Sequence, residues 1–593
     1  MNRYISIAVI AGGIFLFVFA ELTYSENLSD LVRKHIEKRI MTAETSLKIN
    51  CGDGLLCRSA FLTTVYSNRE YQPAWSDDYG PFPSVEDFLE VLRKADQEGL
   101  NPKEYHLSEI EGALSGLYES LMKGETPDCI KITDMDLMLT DAFLLYASHM
   151  AKGRVDHRKI YPYWVVNPRS ADVVEIYRRT LASGEVEKEL AGLLPRYPGY
   201  VKLKGKLTEY RNIAENGGWP RIPQGAKLYR GTRGKQVAVL RRRMIISGYL
   251  KPMGEKKSNI FDREMEIAVR IFQKSHGLKD DGRVGKPTLD ALNVTVEKRI
   301  RQIALNMDRM RWLPNDIGKR FIFVNVADFR LQITEDEQPV MDMKIIAGKK
   351  EQRSCVLSAK MKYLELNPFW KVPDSIATKE ILPQVKKNTG YLKKKNIKVF
   401  WNWDDNAKEI DPWKINWSRI KAKNFKYKLR QDPGPGNPLG RVKFIFPNAC
   451  DIYLHDTPTR HLFGREHRAF SHGCIRIEKP VELATYLLQN KETWTRKKIL
   501  AEIKKGKRQV IVLLEPINVI IFYGTAWVDR NGVLQFRNDI YNIDEIPYEV
   551  PISRARAAVA ARQKVCKICL CYNIAIDIME HRCWENMCWG RTG

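Results

Sequence analysis

At 593 residues the chain exceeds what one hydrophobic core can organise, and about three or four domains are expected. With 44% hydrophobic and 28% charged residues it has a globular balance, which excludes a disordered chain and one embedded in a membrane. The net charge of +26 suits any polyanion, from phospholipid headgroups to an anionic wall. No basic helix with interleaved aromatics and no nucleic-acid motif accompanies it, so nucleic acid is not expected as a partner.

The first segment, "MNRYISIAVIAGGIFLFVFAELTYS", sets Arg3 before an uncharged apolar run over 4–20, with Val18 and Ala20 placed for cleavage before Glu21. Residues 1–20 are therefore read as an export signal. The run is at the lower limit for spanning a bilayer, so an uncleaved anchor is the other reading. Export favours paired thiols. Cys51 and Cys57, with turn residues between them in "CGDGLLC", fit a local disulfide. Cys129, Cys355 and Cys450 are isolated in sequence and equally fit small buried apolar side chains.

Residues 26–215 read as a helical scaffold. "SVEDFLEVLRKADQEGL" repeats Val85, Phe88, Leu89 and Leu92 on one face, and "MDLMLTDAFLLYASHMAKGRV" continues with Leu137, Leu139, Phe143 and Tyr146. His149 in the latter helix is a packing or surface histidine on this reading, not a catalytic one. After the turn-rich "ENGGWPRIPQGAKLYRGTRG", residues 226–295 predict helix, loop, helix and short helix, with Gly248 and Gly277 closing the first two and Pro287 opening the third. The pattern of Val237, Leu240, "GY", "AV..FQ", "GL" and "DGRVG" resembles the small three-helix peptidoglycan-binding domain. That resemblance implies wall binding without catalysis.

After a linking helix, "VEKRIRQIALNMDRMRWLP", the period changes to two in "RFIFVNVADFRLQITED", where Phe329, Leu331 and Ile333 alternate with polar residues. Residues 318–547 are thus expected to be β-rich. Within them, 367–437 is too long for a bare loop and predicts an inserted lid with its own helix. Trp401, Trp403, Trp413 and Trp417 are assigned to a small core inside that lid.

"ACDIYLHD" predicts a strand with Ile452 and Leu454 on one face and Tyr453 and His455 on the other. Nineteen residues after His455, "SHGCIR" puts Cys474 on a tight turn that Gly473 permits, just before a helix opened by Pro480. A thiol near neutrality needs a base, and His455 is the candidate, with His472 an orienting neighbour. A disulfide at Cys474 suits export but leaves both histidines and the glycine turn unexplained. A zinc site would need further ligands, and His461 and His467 lack ligand-pair spacing.

His455 followed by "SHGC" and Arg476 resembles the motif of YkuD-type L,D-transpeptidases. The flanking "DPGPGNPLGRVKF", "FPN", "HDTP" and "HLFGREHRAFSHGCIRI" resemble their large YcbB-like periplasmic branch. That branch implies a multidomain α+β fold: a β-rich catalytic domain with an inserted lid, a helical scaffold and the three-helix domain. It implies Cys474 as nucleophile and His455 as base, with Tyr453, Ser471, His472, Gly473 and Arg476 as substrate or oxyanion positions. The Gly473 and Cys474 amides stabilise the oxyanion on this reading, and Arg476 orients substrate. The partners implied are peptidoglycan stem peptides and glycan, the product a 3→3 cross-link, and the location the periplasm. Neither metal nor organic cofactor is implied, and carbapenems are expected to acylate Cys474. The alternatives are an exported wall-peptide cysteine hydrolase and a non-catalytic wall-binding protein. Residues 550–593, with Cys566, Cys569, Cys571, Cys583 and Cys588, depart from the family pattern as an atypical tail.

Overall fold

The computed structural model describes residues 27–46, 50–51, 54–55, 59–155, 163–166, 169, 171–252, 259–314, 316–404 and 407–545, with the side chains of 43–60 left aside. The expected signal, the Cys51–Cys57 pairing and the cysteine-rich tail lie outside what is described. Among the described residues no helix is long and apolar enough to cross a membrane.

The chain forms two compact units, the first comprising residues up to 96 with 101–148 and 172–193. It is helical and centres on Trp75, which stacks on Phe88 at 5.6 Å and meets Phe143 and Tyr177 edge-on or tilted. The Asp136 carboxylate is fully buried there and accepts from the amides of Ala74 and Trp75 and from the Tyr66 hydroxyl. This unit stops at Leu193, short of the 215 that helical periodicity suggests. The reason is packing: helix Pro198–Glu215 places Tyr200, Leu203 and Leu207 in one core with Ile303 and Met307 of helix Val296–Arg311.

In the second unit, helices Lys235–Ile246, Arg263–Ser275 and Lys286–Leu292 enclose a core of Val237, Leu240, Met244, Val269, Phe272 and Leu289. Gly248 and Gly277 follow the first two helices with φ of +74° and +65°, the left-handed turn that ends a helix. The linking helix Val296–Arg311 buries two arginines completely. Arg309 pairs with Asp544 at 2.8 Å, and Arg311 meets Asp308, the Glu98 carbonyl and the Tyr200 hydroxyl. Charges taken this far from water are tolerated only when so partnered.

The β-rich region is a ten-stranded sheet. Its strands in chain order are β1 Trp164–Val165, β2 Arg320–Asn325, β3 Arg330–Glu335, β4 Gln338–Gly348, β5 Val356–Leu366, β6 Val442–Ile445, β7 Leu454–His455, β8 Ala469–Ser471, β9 Ile475–Ile477 and β10 Gln509–Phe522. The order β6-β7-β9-β4-β3-β2-β10-β5 closes on itself because β5 also pairs with β6, so alternate residues fill one enclosed core. Leu331 and Ile333 alternate into it as expected. Phe329 does not belong to that strand: it sits in the preceding turn with φ of +54°.

The segment 367–437 has its own core, built on short helices and a three-stranded sheet in which Lys428–Gln431 lies between Trp370–Lys371 and Ile397–Phe400. Trp417 is part of that core, whereas Trp401 and Trp413 are 60% and 66% exposed, so the tryptophans do not act as one cluster.

Cys355 and Cys450, isolated in sequence, are joined in a disulfide spanning 95 residues. It ties the start of β5 to the turn before β7, a contact invisible to local sequence because the bridged loop includes the whole insertion. Removing it with C355S and C450S together is expected to lower the stability of the β-rich region by roughly 2–5 kcal/mol. Chemical denaturation followed at this region measures the loss, and an unchanged midpoint contradicts it.

Candidate active site

Two very short strands create the site. β7 runs parallel to β9, with Leu454 opposite Ile475 and His455 opposite Arg476. β6 lies antiparallel on the other side of β7 and sets Lys443 opposite His455. Val442, Phe444, Leu454, Ile475 and Ile477 enter the core. Alternation then carries Lys443, Tyr453, His455, Cys474 and Arg476 to the opposite face. The strand expected over "ACDIYLHD" is reduced to its last part. Asn448 explains why: its side chain accepts from the amides of Cys450 and Ile452 and donates to the Ile452 carbonyl, folding 448–452 into a turn.

The "SHGC" turn is fixed from inside. The Ser471 hydroxyl accepts from the Gly473 amide at 3.2 Å and donates to the Cys474 carbonyl. Gly473 has φ of +119°, a backbone that only glycine adopts readily. Its carbonyl accepts from the Ser354 hydroxyl at 2.6 Å, and that hydroxyl accepts from the Gly348 amide at 3.0 Å. Ser354 immediately precedes the disulfide at Cys355, so one bridge supports both the cysteine turn and the approach to Tyr453 and His455. Of the two amides expected to serve an oxyanion, that of Gly473 is thus occupied by Ser471. The Cys474 amide makes no hydrogen bond among the described residues.

Cys474 is a free thiol. Burial pushes it up, against hydrogen bonds from the Tyr453 amide and hydroxyl and the nearby Lys443 ammonium, and burial wins. His455 is 4% exposed, and its Nδ1 donates to the Asp456 carbonyl at 2.6 Å. That bond leaves Nε2 as the basic nitrogen of the neutral ring. Burial first, then the charges of Arg476 and Lys443, depress the imidazole to about 3, so it is neutral at rest. Asp456 is held in turn by the Arg441 amide at 2.8 Å and by Arg460 at 3.2 Å. Arg476 donates to Thr459 Oγ1 at 3.1 Å. Its Nε is buried without a partner, and desolvation lowers its basicity.

The expected residues therefore come together unequally. Tyr453, His455, Cys474 and Arg476 share one face. Ser471 and Gly473 build the turn beneath it. His472 is exposed and points instead to the insertion, where Nε2 meets Glu380 Oε1 at 2.7 Å. His467 packs edge-on against Phe329 at 5.6 Å. Among the described residues no group of three or more His, Cys, Asp or Glu side chains is spaced to hold a metal ion. Lys443, Ser354, Asp456 and Glu380 escaped the sequence reading. Only Lys443 left a signal: in "RVKFIF" it faces away from Val442 and Phe444, but nothing in the sequence names the strand it would pair with.

Parts of the chain are similar to known proteins. Residues 319–512 match the L,D-transpeptidase catalytic domain of the YkuD family, 60–207 match a scaffold domain and 233–292 a peptidoglycan binding domain. Over 259 residues the chain is 34% identical to a Haemophilus influenzae protein named "Putative L,D-transpeptidase", covering 44% of this chain and 50% of that protein. The chain thus spans about half the length of that relative. Among solved structures, an L,D-transpeptidase from Stackebrandtia nassauensis is similar at 15% identity, over 50% of this chain and 94% of that one, with a TM-score of 0.20. Another, from Xylanimonas cellulosilytica, has 13% identity over 51% and 99% of the two chains, with a TM-score of 0.15.

The electrostatics predict a resting thiol, not a preformed thiolate–imidazolium pair. Iodoacetamide labelling of Cys474, followed by peptide mapping, is expected to keep accelerating above pH 9. Tyr453→Phe removes a donor to the sulfur and shifts that rise to still higher pH. A plateau already reached at about pH 7, the range of activated thiols, contradicts this account.

Proposed function

We propose that this chain, which carries an L,D-transpeptidase catalytic domain together with scaffold and peptidoglycan-binding domains, is a cysteine transpeptidase that cross-links peptidoglycan stems. The observation that carries the reading is the cluster on one sheet face: a free thiol bonded by Tyr453, with a neutral histidine on the adjacent strand. An acyl transfer needs that pair, a nucleophile and a group that takes and returns one proton.

Cys474 Sγ attacks the carbonyl carbon of the amide joining the third stem residue, usually meso-diaminopimelate, to a terminal D-alanine. His455 Nε2 takes the thiol proton as the carbon–sulfur bond forms. The Cys474 amide is the available donor for the developing oxyanion. The carbon–nitrogen bond then breaks, and the proton passes from His455 to the departing D-alanine amine, leaving a thioester. In the second half, the side-chain amine of another stem gives its proton to His455 and attacks the thioester. The new amide is the 3→3 cross-link, and the sulfur leaves as thiolate to recover the proton. A β-lactam carbonyl offers Cys474 the same kind of electrophile, so carbapenems would acylate it.

This role requires export to the periplasm, with the chain free or held by residues 4–20. Glycan engagement falls to the domain at 233–292.

Purified protein incubated with disaccharide-tetrapeptide is expected to release D-alanine and form dimers whose mass and fragmentation identify a 3→3 link. Cys474→Ala should abolish both products, at least 10³-fold, while binding to sacculi persists. Release of D-alanine with tripeptide monomers alone would make water the acceptor and the protein a hydrolase. Dimers formed by Cys474→Ala would defeat the cysteine mechanism.

A further inference from the structure

Lys443 is a cation inside the catalytic cluster that makes no ion pair among the described residues, the Glu365 and Asp451 carboxylates acting on it only from beyond that range. Its Nζ lies 4.0 Å from the centroid of the Tyr453 ring, on the ring face, and the hydroxyl of that ring bonds the Cys474 sulfur. Glu365 is opposite Lys443 in register, yet its carboxylate is taken by Arg508 in a two-pronged pair at 2.8 and 3.2 Å. Among the described residues no carboxylate is within ion-pair range of Lys443 Nζ. Burial depresses the ammonium, as expected of a charge drawn away from water. Arg476, the other cation of the cluster, is already bonded to Thr459 on the far side of His455.

We propose that Lys443 binds the C-terminal carboxylate of the donor peptide, so that Cys474 cuts only the last amide before a free chain end. The inference rests on the transpeptidase reading and names the feature of the donor that the site selects. Covalent geometry supports the fit. In a peptide ending in D-alanine, the terminal carboxylate carbon is only about 3–4 Å from the scissile carbonyl carbon. When that carbonyl is in attack range of the sulfur, roughly 3–3.5 Å away, the carboxylate can reach the Tyr453 ring on whose face Lys443 lies. A cation stacked on an aromatic face retains most of its capacity to attract an anion at its free side. The carboxylate would also neutralise one of the two charges that oppose protonation of His455, making the imidazole a better base only when a proper donor is bound.

The test compares two donors with wild-type protein and Lys443→Met: a disaccharide-tetrapeptide ending in D-alanine and the same molecule ending in D-alaninamide. Release of D-alanine or D-alaninamide is followed by mass spectrometry. Wild type is expected to favour the free acid by 10²-fold or more in kcat/KM, and Lys443→Met to treat both alike within a few-fold, at the low rate of the amide. Lys443→Arg, which restores the charge, should recover much of the preference. Thermal melting and sacculus binding of each variant confirm folding, and a misfolded Lys443→Met hands the comparison to Lys443→Gln. Wild type that acts on both donors equally, or a Lys443→Met protein that keeps the preference, overturns this inference alone. Wild type that releases nothing from either donor overturns the transpeptidase reading and this inference with it.

Discussion

The parallel pairing of Leu454–His455 with Ile475–Ile477 is the contact on which the catalytic arrangement depends. These strands are too short to be stable alone, and their register is imposed by what surrounds them. Leu454, Ile475 and Ile477 point into the core of the closed sheet, so a slip by one residue would turn Tyr453, His455, Cys474 and Arg476 into that core and turn the apolar set out of it. The cysteine turn is pinned through Ser354, and the histidine strand through Asn448. The Cys355–Cys450 bridge then links the two supports outside the sheet. Reactive groups from sequence positions far apart are held on one face by a scaffold that is itself unreactive.

Electrostatics set the resting state of that face. Lys443 and Arg476 flank a buried imidazole, and its depression from 6.5 to about 3 makes imidazolium unfavourable by on the order of 5 kcal/mol. A pair poised as thiolate and imidazolium would react with any electrophile that reached it. Burial instead favours a protonated Cys474 beside a neutral His455, and on the proposed reading a donor carboxylate at Lys443 would bring the negative charge that shifts this balance. Tyr453 joins the two functions, with its hydroxyl on the sulfur and its ring under the ammonium. The insertion adds a further contact, since Glu380 holds His472, the exposed histidine of the cysteine turn.

Much of this was legible in the sequence because it is local. Helical periodicity marked the linking helix and the three-helix domain, Gly248 and Gly277 marked the ends of that domain's first two helices, and alternation assigned Ile452 and Leu454 to the core and His455 to the other face. The tight turn before Cys474 followed from Gly473. What could not be read depends on contacts between segments far apart in the chain. Cys355 and Cys450 look isolated because an entire inserted domain separates them. Lys443 looks like an ordinary outward residue until strand pairing sets it opposite His455. The occupation of the Gly473 amide by Ser471 is a matter of side-chain rotamer, and no spacing rule predicts it. The fate of helix Pro198–Glu215 was hidden for the same reason: its apolar stripe is plain, but the partner that covers it lies about a hundred residues further on.

The central claim is that Cys474 carries the donor as a thioester. Protein mixed with a tetrapeptide donor in the absence of an amine acceptor, quenched in acid and weighed intact, tests it directly. The account predicts an adduct of donor mass less D-alanine, located by peptide mapping on Cys474 and released by hydroxylamine. D-alanine release without any adduct, or with one at another residue, would contradict it.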